Sequence, residues 1–250
     1  MKMFSPLEQF EILPLINIFG ISLTNQFLFL FLLVFIIITL FYSLLKPSTN
    51  TLYIKPTRWQ SVIELVYLLI LSMVQDTIGG KKGEPFFPLI FTIFIFVAGM
   101  NLIGLIPYSY TVTSHFIVTL SLSLTIFIGM NIICIRLHKL AFFALFLPAG
   151  TSLPLAFLLV PVELISYIFK PLSLAIRLFC NMMAGHTLLK VFAGFAWSLM
   201  SLTGALFYLQ IIPILILIPL YGLELGVALI QAYVFSLLTC IYLNDAVNLH

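Results

Sequence analysis

Charge is scarce in this chain: 8% of its 250 residues are Asp, Glu, Lys or Arg, where an ordinary globular protein carries about a quarter. So little polar surface cannot cover a soluble core of this size, which excludes a water-soluble domain. Cysteine is scarce too. Cys134, Cys180 and Cys240 stand singly in apolar runs, without a CxxC or metal-ligand spacing, so neither a disulfide framework nor a thiolate metal centre is implied. No run of bases is interleaved with aromatics and the formal charge is only +3, so no nucleic-acid partner is expected. A GxxxxGK[ST] loop is missing, which removes the phosphate cradle that direct nucleotide binding would use. The opening "MKMFSPLEQFEILPL" has no small-residue cleavage site, so neither a secretory signal nor an Arg-rich transit peptide is expected there, trimming of a few residues aside.

What remains is oil. Hydrophobic residues make up 62% of the chain, and the mean hydropathy is +1.22. The expectation is a single all-α integral membrane protein over residues 1–250 whose solvent is mostly lipid. Residues 27–45, "FLFLFLLVFIIITLFYSLL", are long enough at 1.5 Å per residue to cross a hydrocarbon core of about 30 Å. Residues 55–78 differ. Gln60, Ser61, Glu64, Ser72 and Gln75 share one arc opposite Val62, Val66, Leu69 and Met73, which predicts an amphipathic helix in the interface plane. From Pro85 to Ile135 the one acid or base is His115, and the polar turn "IPYSYTVTSH" divides that run into spans at 86–107 and 115–135.

Lys46, Lys55, Arg58, Lys81 and Lys82 fall on the same side of these spans as Arg136 and Lys139, whereas the 108–114 turn has no base. The bias of basic residues toward the inner side puts the former inside and the N-terminus outside. Residues 153–197 and 202–244 read as near-continuous apolar helix, each roughly 60 to 68 Å long and twice a membrane thickness. Each is either two spans without a polar turn or one very long tilted or bent helix, with Pro161, Pro171, Gly185, Gly194, Pro213, Pro219, Gly222 and Gly226 as bending points. The second option is favoured, because Glu163, Lys170, Arg177, His186 and Lys190 are spread along the first segment instead of gathered in a loop.

An ionisable side chain in a membrane helix costs about 2.5 kcal/mol or more at the bilayer centre, so each one needs a reason. Lys170 and Lys190 have stems long enough to snorkel to an interface, the ordinary explanation. Arg177 is harder to dismiss. Glu163, Lys170 and Arg177 recur every seven residues, and Asn181 follows Arg177 by one turn, so a polar seam is expected along one face, with a buried arginine as a fixed positive charge. His186 lies nine residues beyond Arg177 and on roughly the opposite face. It calls for a partner elsewhere, and Glu224, with Gln231 seven residues on, supplies groups suited to a proton relay. A relay is favoured over a structural pair. Asp245 falls near the far surface, where an exposed cap is the alternative.

Four segments, "FPLIFTIFIFVAGMNLIGLIPY" with Asn101, "LSLAIRLFCNMMAGHTL", "LELGVALIQAYVFSLLTCIYLNDA" and the N-terminal span, resemble the a subunit of the F-type rotary ATP synthases over nearly the whole chain. The resemblance implies a hairpin of two long tilted helices packed against a ring of c subunits. It also implies an essential charge at Arg177 facing that ring, with Asn181 and Gln231 nearby. His186 and Glu224 would line the proton inlet path, and Glu163 and Asp245 the outlet path. Peripheral-stalk subunit b, small accessory membrane subunits, lipid and protons are the further partners it implies, with no cofactor, no metal and no catalysis by the chain alone. The His/Glu exchange at 186 and 224 is similar to mitochondrial members, and "SPLEQFEI" to fungal ones. That similarity implies the mitochondrial inner membrane, with the N-terminus in the intermembrane space and the C-terminus in the matrix. A transporter or channel working alone is the rival class, disfavoured because the acids do not surround one midplane site built from repeats. A plain membrane anchor leaves Arg177, His186, Glu224 and Gln231 unexplained.

Overall fold

The computed structural model describes residues 7–18, 21–45, 58–106, 109–139, 153–200 and 209–247. Lys46, Lys55, the start of the 55–78 segment, Pro107 and residues 202–208 lie outside them. A short antiparallel hairpin, β1 (Pro14–Ile18) and β2 (Ile21–Thr24), leads into α1 (Asn25–Leu45). Then follow α2 (Arg58–Ile78), the single turn α3 (Gly80–Gly83), α4 (Phe87–Gly104), α5 (Phe116–His138), α6 (Leu153–Met200) and α7 (Ile211–Val247). Among the described residues, six helices are long and apolar enough to cross a membrane, α2 included. The all-α membrane class holds, with the small hairpin as its one β element among the described residues.

The long final segments are unbroken helices of 48 and 37 residues, roughly 72 and 56 Å, with Pro161, Pro171 and Pro219 inside them. No polar turn interrupts either, because nothing in their sequence supplies the Gly/Asn/Asp cluster a reversal would need.

The chain is divided into two compact units interleaved in sequence. The first comprises Met1–Leu40, Phe96–Phe116 and Leu178–Tyr233. Asn25 joins its hairpin to its first helix: Asn25 Nδ2 donates to the Glu11 carbonyl (3.2 Å), and Asn25 Oδ1 accepts from the backbone of Leu13 (3.3 Å) and Gln26 (2.9 Å). Leu33 of α1 is buried against Gly99 of α4, where a Cβ would stand 3.2 Å from Leu33 Cδ1, so the missing side chain sets the close approach of the two helices. The last carbonyls of α4 have no helical donors. Ser109 Oγ covers two of them, donating to Ile103 O (2.6 Å) and Gly104 O (3.0 Å). The turn that follows is buried polar chain from Tyr110 to Ser114, with Tyr110 hydrogen-bonded to His115 Nε2 and to the Phe10 carbonyl.

The second unit comprises Phe41–Ile95, Ile117–Arg177 and Val234–His250. Its core gathers Ile70, Met73, Val74 and Ile78 of α2 with Ile90, Met130, Cys240 and Leu243. An aromatic ladder of Tyr67, Phe87 and Phe91, with centroids 4.8 and 5.6 Å apart, lies beside it. On α2 the face that packs into this core lies beside the expected apolar arc, with Met73 common to both. Val62 and Leu69 are exposed, and the stripe is rotated by about a quarter turn toward Ile70, Val74 and Ile78. Leu65 and Leu68, beside the polar arc, are exposed with Glu64 and Ser72.

Candidate functional site

The polar residues of the first unit converge where the end of α4 meets the middle of α6 and of α7. Two hydrogen bonds fix α4 on α7: Asn101 Nδ2 donates to the Ala228 carbonyl (3.2 Å), and the Tyr221 hydroxyl donates to the Leu105 carbonyl (3.2 Å). Leu105, Met182 and Ala228 form the apolar contact of the three helices. Glu224 therefore lies on α7 between two anchored turns, in a position the chain cannot easily vary.

Two polar rungs join α6 to α7. In one, Asn181 Nδ2 donates to Gln231 Oε1 at 2.9 Å. In the other, His186 Nε2 stands 3.6 Å from Glu224 Oε1, the side chains being 13% and 6% exposed. The rungs are about 8 to 10 Å apart along the helices, which run antiparallel. Glu224 reaches α6 because residue 185 is glycine: a Cβ there would lie 2.6 Å from Glu224 Oε1.

The His186 to Glu224 separation is too long for a formed hydrogen bond. Neither carboxylate oxygen of Glu224, nor His186 Nε2, has any hydrogen-bond partner among the described residues, and Asn101 Oδ1 and Gln231 Nε2 are likewise unpartnered. Leaving such groups buried and unpaired is costly in lipid, and structure alone gives no return for it. Chemically, a carboxyl and an imidazole a small movement from hydrogen-bond reach can exchange a proton.

Arg177 lies on α6 one turn before Asn181 and is exposed, as are Ser173, Ile176, Cys180 and Ala184 on the same face. Within this chain Arg177 is exposed and makes no ion pair among the described residues. Along the seam expected every seven residues, Glu163 and Lys170 are half-buried and Arg177 is exposed. In the second unit, Asp245 is set against Lys170, Nζ to Oδ2 3.5 Å, and Glu163 is not among the residues lining the cavity around that pair.

The sequence profile described as "ATP synthase A chain" matches residues 27–244. This chain belongs to that family. Relatives in the ATP synthase A chain family match it from end to end. ATP synthase subunit a of Pylaiella littoralis is 52% identical over 250 residues, covering 98% of this chain and 99% of that protein. The proteins of the same name from Marchantia polymorpha and Chondrus crispus are 50% and 52% identical, again over 98% of this chain. The ATP synthase A chain match contains Glu163, Arg177, Asn181, His186, Glu224 and Gln231 and stops one residue short of Asp245.

Sequence reasoning gave Gly185 no part beyond a bending point, gave Asn101 no role and read Lys170 as a snorkelling cation. The first left a signal, a glycine directly before a membrane histidine, but its purpose depends on the approach of α7.

Proposed function

We propose that this chain is the stationary proton-translocating subunit of the membrane-embedded Fo sector of a rotary F-type ATP synthase, working against a ring of c subunits. The single observation that carries the reading is the approach of two buried ionisable groups, His186 and Glu224, to 3.6 Å with no other protein hydrogen-bond partner for the facing atoms among the described residues. Membership of the ATP synthase A chain family supports it. A proton enters past Glu224 and His186 and neutralises a carboxylate of the ring. The neutral site then rotates through lipid, where a charged one would be held back by its desolvation cost. After nearly a full turn the site reaches the outlet path of Glu163 and Asp245 and gives up its proton.

Arg177 faces the ring, favours the ionised carboxylate and blocks direct passage between the two paths, because a guanidinium keeps its protons. Its exposure on α6 suits a charge that works on a partner. Asn181 and Gln231, bonded to one another, flank it on the family's pattern. The energy comes from the membrane potential, about 2.3 kcal/mol per charge per 100 mV. Subunit b of the peripheral stalk and small accessory subunits cover other faces. The membrane is the mitochondrial inner one, with the N-terminus in the intermembrane space and the C-terminus in the matrix. α2 lies along the inner interface, a placement that keeps the bases at both its ends, Arg58 and Lys81 with Lys82, on one side.

Reconstitution tests this directly. Vesicles holding the chain with a carboxylate-bearing c-ring should conduct protons, and vesicles holding the chain alone should not. Flux through the chain alone would identify an autonomous channel and end the rotary reading.

A further inference from the structure

A lysine at depth in a membrane helix has two ordinary outcomes: it stretches to the interface, or it pairs. Lys170 pairs. Its Nζ is 3.5 Å from Asp245 Oδ2, and the same ammonium lies over the rings of Tyr167 and Tyr242, 5.5 and 5.1 Å from their centroids. The arrangement is repeated on both helices. Tyr167 precedes Lys170 by three residues on α6, and Tyr242 precedes Asp245 by three on α7, the spacing that puts side chains on one face. The Tyr167 hydroxyl donates to Asn131 Oδ1 on α5, which fixes its ring beneath the ammonium.

Lys170 is therefore held from several sides while the Asp245 side chain stays 44% exposed. A pair so open contributes little to folding, since water and mobile side chains screen it. Yet two aromatic faces and an anchored tyrosine are arranged around it, and the same four residues line one cavity with Met130 and Cys134. Two cation–π contacts to one ammonium orient the charge better than a lone ion pair does.

We infer that Lys170 is a positioning residue that holds the Asp245 carboxylate at the mouth of the outlet path, an inference that rests on the outlet assignment proposed above. Asp245 takes up the proton released from the ring and passes that same proton to water on the inner side. Lys170 keeps its own three protons throughout and carries none. Its ammonium stands against Oδ2 of the carboxylate and so fixes which oxygen faces the arriving proton.

The test uses the assembled complex in vesicles, reading ATP-driven proton pumping and ATP synthesis beside subunit content. Lys170→Met and Lys170→Gln should each slow coupled turnover about fivefold at unchanged assembly, the equivalent of about 1 kcal/mol for a pair this exposed. Lys170→Arg should stay within about twofold, since a second cation can hold the same oxygen. Exchanging the partners, Lys170→Asp with Asp245→Lys, should leave assembly unchanged but not restore turnover, because the carboxylate has moved from α7 to α6. Full turnover in the Met and Gln variants, or full recovery on exchange, would overturn the inference, as would loss of assembly in both variants, which marks a structural pair. Asp245→Asn separates the two readings. Normal turnover there removes the outlet assignment itself, whereas slowing there with none at Lys170 removes only the role of the lysine.

Discussion

Gly185→Ala is the smallest change that reaches the proposed inlet path without replacing an ionisable group. The new Cβ would stand 2.6 Å from Glu224 Oε1, 2.9 Å from its carboxyl carbon and 3.1 Å from Cγ, where ordinary contact begins at 3.4 Å. The carboxylate must retreat by about 0.8 Å, and it can, because it is the free end of a flexible side chain. The stability cost is therefore small, about 1 kcal/mol. The functional cost is not. A displacement of that size alters a 3.6 Å approach to His186, and misplacing reacting groups by about 1 Å slows proton transfer about ten- to hundredfold. The assay is proton pumping by the assembled complex in vesicles, normalised to subunit content. Combining Gly185→Ala with Glu224→Asp, which shortens the side chain by one methylene, should recover part of the loss, although Glu224→Asp alone slows flux. Normal pumping by Gly185→Ala, or strictly additive losses in the double variant, would refute the reasoning.

Removing the charge at the same point, Glu224→Gln, should slow proton flux far more than it lowers assembly; a complex assembled to full content with normal flux would remove Glu224 from the path. Asn101 is fully buried and donates to the Ala228 carbonyl, so Asn101→Leu should lower stability in detergent by about 1 kcal/mol, read by reversible unfolding. An unchanged midpoint would show that the bond carries nothing. In the turn between α4 and α5, burial pushes the Tyr110 hydroxyl up to about 12 and holds His115 below its usual range, burial outweighing the opposing effect of the Phe10 backbone. A histidine lowered on folding is neutral in the native turn, so the unfolded turn binds more protons. Stability is then full above about pH 6.5 and falls as the pH drops below it. Hydrogen exchange over residues 109–116, corrected for intrinsic rates, should speed up below that pH, and His115→Gln should abolish the dependence; a flat profile in the unaltered chain would contradict the burial argument.

The helical framework is legible because lipid leaves few choices. Uninterrupted apolar runs must satisfy their own backbone, so residues 27–45 form the body of α1 and "IPYSYTVTSH" falls where α4 gives way to α5. The N-terminal hairpin is not legible: the eleven residues "PLINIFGISLT" are too few for periodicity to separate strand from helix, and the bonds of Asn25 that hold it come from the fold. Which face of α2 packs on protein is not legible for a related reason, because in a membrane protein an exposed leucine is as well solvated as a buried one. Within the candidate site, spacing along one helix separates the faces of Arg177 and His186. What lies opposite each face depends on helix pairing, so the Gly185 notch, the Asn101 anchor and the hold of Lys170 on Asp245 appear only in three dimensions.

The central claim is that Arg177 keeps two proton paths apart while it engages the ring. Its most direct test is Arg177→Ala in the fully assembled complex, with ATP-driven pumping and passive proton conductance measured on the same vesicles. Coupled pumping should disappear while protons cross Fo without rotation. Coupled pumping at the rate of the unaltered complex would contradict it.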